Sequence, residues 1–145
     1  MRYREVIHAP VWLLGLIYFF FLTFVLSIWA ALGNNPALLT MVILTLSLVA
    51  IYFKTALVIE IDELELRVGR AHIAHKYVAE IKVLESAEFR RVRTRDADPA
   101  AFLAIRFWSA RAVQLFVNDE RDPTPYWLIS TANGNELIKA LQLYK

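Results

Sequence analysis

The chain has 145 residues, room for one compact domain plus a short membrane element, and no cysteine, which excludes disulfides, Cys-based zinc sites, iron–sulfur clusters and thiol catalysis together. Its net charge of +2 is the sum of Arg2, Arg4 and Lys54 against Glu5, leaving residues 56–145 with 13 of the 16 basic and 13 of the 14 acidic side chains. The pI near 9.0 therefore reports the flanks of an apolar segment and is no sign of nucleic-acid binding.

A mean hydropathy of +0.44 is high for a wholly soluble protein, and the excess lies before Lys54. Residues 1–10 read as a short cytoplasmic segment. Residues 11–32 are an unbroken run of 22 uncharged, mostly apolar residues, about 33 Å as a helix and enough for a hydrocarbon core of about 30 Å. Residues 37–53 form a second run, of 17, about 25 Å long and at the short end of the range. A buried helix of a soluble domain is the alternative for this run, but a helix apolar all round beside a stronger span favours the bilayer. A cleaved secretory signal is the alternative for the first run, with Arg2 and Arg4 ahead of it and Ala31-Leu32-Gly33 behind. Against it, the usual apolar region of a signal is only about 7–15 residues, and here a second span follows at once.

Gly33-Asn34-Asn35-Pro36 links the runs with turn formers, so an antiparallel hairpin is expected. Arg2, Arg4 and Lys54 lie on the side of the termini, and the positive-inside rule places both termini in the cytoplasm of a multi-pass inner-membrane protein. Trp12, Trp29 and Tyr52 fall near the span ends, as interfacial aromatics do. Neither span holds a charged residue or histidine, the usual mark of an ion path or substrate site in lipid, so a transporter or channel is disfavoured. Thr23, Ser27, Thr40, Thr45 and Ser47 are expected to bond their own or a neighbouring helix, while Gly15, Ser27, Ala30 and Ala31 would let another helix approach.

From residue 54 to 145 the pattern becomes that of a soluble domain. Leu57, Ile59 and Ile61, then Leu64, Leu66 and Val68 beyond the Asp62-Glu63 corner, alternate as a β-hairpin does. Gly69 marks a bend before a short strand at residues 71–73, and residues 77–84 alternate again. Residues 88–93 read as a further strand, ended by Asp96-Ala97-Asp98-Pro99. Residues 103–108 and 113–118 read as the clearest hairpin in the chain. A polar, proline-containing stretch then leads to a last strand at residues 126–131. Asn133 with Glu136 suggests a capping box, and Leu137, Ile138, Leu141 and Tyr144 fall at helical spacing. The expected class is an α+β membrane protein: a two-helix transmembrane hairpin, then a small β-barrel-like, pleckstrin-homology-like domain of about seven strands with a C-terminal helix.

Three stretches carry a resemblance: residues 60–73, from Glu60-Ile61-Asp62 to Gly69-Arg70-Ala71-His72-Ile73; Arg95-Asp96-Ala97-Asp98-Pro99; and Asp122-Pro123-Thr124-Pro125-Tyr126-Trp127-Leu128-Ile129-Ser130-Thr131. With the double span they resemble the family of small actinobacterial membrane proteins catalogued as domain of unknown function 3093. That resemblance implies architecture and bacterial origin and carries over no functional residue.

Arg90, Arg91, Arg93 and Arg95 form the densest basic run and suit anionic lipid headgroups, or else pair with Glu85, Glu88, Asp96 and Asp98. Tyr126 and Trp127, behind the stiff Pro123-Thr124-Pro125, are expected as core and rim or as a partner contact. His72 and His75 converge on a metal only if their segment turns, and Asp96 and Asp98 suit backbone capping better than acid–base work. No activated nucleophile, phosphate loop or metal spacing is present, and no catalytic residue, metal or cofactor is expected. The functional expectation is a non-enzymatic, membrane-anchored protein-interaction module or accessory subunit, with the bilayer and a protein as partners and no nucleic acid. The alternative is a receptor for anionic lipid headgroups or a small ligand.

Overall fold

The computed structural model describes residues 3–144 and has an α+β fold made of two compact units. One unit is residues 8–56; the other joins residues 3–7 to residues 57 onward. Arg2, which contributes to the charge argument above, lies outside the described residues.

The first unit is a pair of helices, α1 (Val11–Leu32) and α2 (Asn34–Lys54). Both are long and apolar enough to cross a membrane. Apolar residues surround them on every side: no residue of α1 and only Ala37 of α2 is buried. The expected four-residue link shrinks to Gly33, because α2 begins at Asn34 and takes Pro36 into its first turn, where no intrahelical N–H is lost. Gly33 has φ +86° and ψ −167°, a region open essentially to glycine alone. The Trp29 indole N–H donates to Asn34 Oδ1 (2.7 Å) beside it. The hydroxyls of Thr23, Ser27, Thr40 and Ser47 donate to carbonyls of Phe20, Thr23, Pro36 and Ile43 within their own helices. At the other end of the pair, His8 stacks on Tyr52.

The second unit contains two four-stranded sheets. The first is fully antiparallel in the order β1 (Tyr3–Ile7), β2 (Leu57–Ile61), β3 (Glu65–Val68), β4 (Ala71–Ala74). Part of the stretch expected as a short N-terminal segment, separate from the soluble domain, thus supplies its edge strand, in register from Tyr3 opposite Ile61 to Ile7 opposite Leu57. A single 3₁₀ turn (His75–Tyr77) leads into the second sheet, whose order is β5 (Val78–Leu84), β7 (Ala112–Val117), β8 (Tyr126–Ser130), β6 (Phe102–Ala104). Apolar faces of both sheets, among them Ile59, Ile61, Leu66, Val113, Leu115 and Ile129, share one core with Leu137 and Leu141 of the C-terminal helix α4 (Gly134–Gln142).

Four expectations are corrected. The strands do not close into a barrel; they form two separate sheets. The hairpin expected between residues 103–108 and 113–118 does not form: β6 is three residues long and runs parallel to β8, while β7 lies between β5 and β8. Alternation fixes which face of a strand is buried but not its neighbour, and Ser109-Ala110 lacks the Asn-Gly chemistry that would lock a tight hairpin. Residues 88–93, expected as a strand, lie in a helix, α3 (Ser86–Thr94). Phe89 and Val92, three apart, form its buried side against Leu84, Ala112, Tyr126 and Leu128. The capping box is also absent: the Asn133 side chain makes no cap bond, and Thr131 Oγ1 instead accepts from the Asn133 N–H (3.1 Å).

Candidate functional site

The helical form of residues 86–94 regroups the arginines. A strand would set Arg91, Arg93 and Arg95 on one side; the helix puts Arg90 with Arg93, three apart, and Arg91 with Arg95, four apart. Arg91 pairs with Asp96 (3.3 Å), and neighbouring Lys82 pairs with Glu88 (3.1 Å). Arg93 is half-buried, with its guanidinium 5.3 Å from the centre of the Phe89 ring. Arg90 and Arg93 have no carboxylate partner among the described residues.

Beside α3 is a cavity of about 460 Å³. Ser86 contributes from the first turn of α3, Trp108, Ser109 and Arg111 from the β6–β7 connection, and Thr131 and Ala132 from the β8–α4 junction. A smaller cavity, of about 200 Å³, adjoins it and shares Ser86, Ser109 and Ala110; its remaining wall is Phe89, Arg90 and Arg93. Among the described residues, no acidic side chain lines either one. Arg111 is tied to Glu85 (3.1 Å), outside the walls. The Trp108 indole N–H is buried and has no acceptor among the described residues, an uncommon condition for a buried donor. Exposed Phe107 packs edge-on against the Trp108 ring.

Thr131 and Ala132 also hold the inward carboxylate of β1. Glu5 Oε2 accepts from the Tyr3 hydroxyl (2.9 Å) and from Thr131 Oγ1 (2.6 Å), and Oε1 accepts from the Ala132 N–H (2.7 Å). Burial, then the hydrogen bond and the charge of Glu5, hold the Tyr3 phenol well above its ordinary pKa. The sequence signal for this cluster was slight, because a glutamate on the inner face of a strand breaks the apolar alternation.

Tyr126 and Trp127, expected as possible partner contacts, are each less than a tenth exposed. Tyr126 Oη accepts from the Asp98 N–H (3.0 Å), and Trp127 packs on Phe102 within the core. The aspartates of that turn cap and pair: Asp98 Oδ1 accepts from the Ala100 N–H, and Asp96 meets Arg91. His72 is exposed on β4, whereas His75 is buried, its Nε2–H donating to the Asp62 carbonyl (2.8 Å). Asp62 caps the β2–β3 corner by accepting from the Leu64 and Glu65 N–H groups, which hold its carboxyl below the usual range. Among the described residues no three His, Asp or Glu side chains are grouped to hold a metal ion.

Comparison with curated proteins returns no match, and no solved structure matches the chain. A family match covers residues 2–141, nearly the whole sequence, and the chain belongs to the family described as protein of unknown function (DUF3093).

Proposed function

We propose that this protein is a non-enzymatic, membrane-anchored module in which α1 and α2 span the bilayer and hold the two-sheet unit at its cytoplasmic surface, as an accessory subunit for a membrane or cytoplasmic protein. The observation that carries this reading is the helix pair itself, whose apolar residues are exposed on all sides while its bonded hydroxyls are satisfied within their own helices. Such a surface suits lipid or another apolar helix, and residues 11–53 carry no charged side chain or histidine of the kind that marks an ion path in lipid. The β1–β2 pairing adds support, because Ile7 opposite Leu57 requires both ends of the intervening segment on one side, hence an even number of crossings. Arg4 and Lys54 then favour the cytoplasmic side. For a pleckstrin-homology-like relationship, the support is the terminal helix closing a core between two sheets; the parallel β6–β8 pair departs from it.

Two measurements test the reading. Reporter fusions at Asn34 and after Gln142 are expected on opposite sides of the membrane, and the same side for both removes the two-span arrangement. Gentle detergent extraction at native expression is expected to yield the chain with a stoichiometric protein partner, and the lone chain alone would remove the accessory role.

A further inference from the structure

We propose that the paired cavities beside α3 bind a phosphate-bearing ligand, with the phosphate between Arg90 and Arg93 and the less polar part against Trp108. This does not rest on the anchoring reading, since every residue used lies in the two-sheet unit. Three observations converge. Arg90 and Arg93 line a cavity without an acidic wall and lack carboxylate partners among the described residues, while nearby Arg91, Lys82 and Arg111 are each paired. Two guanidinium forks on one helical face match the geometry of phosphate oxygens, and the stack of Arg93 on Phe89 orders one of them in advance. The adjoining larger cavity has mainly apolar walls that include Trp108, and the Trp108 N–H has no acceptor among the described residues. A ligand oxygen reaching past the edge of that ring would supply one. The size of the larger cavity suits a phosphorylated molecule with a substantial organic part.

The shared chemistry is the phosphate group, and its source, soluble compound or lipid headgroup, is separated by experiment. The full ¹⁵N-labelled chain in neutral maltoside micelles is titrated with inorganic pyrophosphate, with dihexanoyl phosphatidic acid and with dihexanoyl phosphatidylcholine, following the Trp108 indole N–H resonance. Saturable movement with pyrophosphate or phosphatidic acid, and none with phosphatidylcholine, is expected. A response to pyrophosphate alone identifies a soluble ligand class, and one to phosphatidic acid alone a headgroup. Arg90→Gln with Arg93→Gln should weaken binding at least tenfold, whereas Arg91→Gln with Arg95→Gln should change it less than twofold. Because Arg93→Gln also removes the stack on Phe89, Arg90→Gln alone is required to weaken binding at least threefold with the α3 amide pattern unchanged. Absence of saturable movement with both phosphate probes, equal loss in the two double variants, or an equal response to phosphatidylcholine overturns the proposal.

Discussion

Glu5 faces inward from an edge strand, where an unpartnered carboxylate would be costly, and three donors from two separate parts of the chain satisfy it. Glu5→Ala leaves the Thr131 hydroxyl and the Ala132 N–H without their acceptor. It should lower stability by about 2 kcal/mol, read as a lower urea midpoint for the full chain in neutral detergent. Tyr3 makes a second, pH-dependent contribution. Its folded pKa is raised, so below the unfolded value near 10.0 both states keep the proton and its contribution is complete. As pH rises above that value, the unfolded chain releases the proton first and stability falls. Tyr3→Phe should cost about 1 kcal/mol at neutral pH and flatten the decline in unfolding midpoint above about pH 10. An unchanged alkaline slope would show that Tyr3 does not titrate as its surroundings imply. Neither residue announces this role in sequence, because two of the three donors to Glu5, Thr131 and Ala132, lie more than a hundred positions away.

Elements built on a strong local period were legible, and those whose identity depends on a distant partner were not. The first apolar run matches α1 residue for residue, and Leu57, Ile59 and Ile61 alternate inward as expected. Residues 88–93 read as a strand because four arginines in the six positions 90–95 suggest an exposed strand or turn, and only Phe89 and Val92 report the helical face. Phe89 is nevertheless the side chain that seats this helix, at 2 % exposure. Phe89→Ala should destabilise the two-sheet unit by about 3–5 kcal/mol and raise amide exchange across residues 86–94 before the core strands open. Protection unchanged in α3 would mean that the helix is held by its polar contacts instead. The arginine cluster was thus visible in composition, but its division into Arg90 with Arg93 and Arg91 with Arg95 required the helix.

For the whole molecule, the helix pair is an insertion into the turn of the β1–β2 hairpin, since the chain leaves the first sheet at Ile7 and returns at its register partner Leu57. Replacing residues 8–56 by Asn-Gly should close that hairpin with a tight two-residue turn and yield a soluble, cooperatively unfolding protein. A fragment beginning at Leu57 lacks β1 and the Glu5 carboxylate, and its urea midpoint should be clearly lower. Equal midpoints would show β1 to be dispensable. The same topology orders the events of synthesis. The first strand leaves the ribosome about fifty residues before its partner, and the acceptor on Glu5 waits for donors near the far end of the chain. If the helices insert, a chain whose second helix failed to return would leave β1 and β2 separated by the bilayer, with the edge of β2 open. Completion of the first sheet would then report correct insertion.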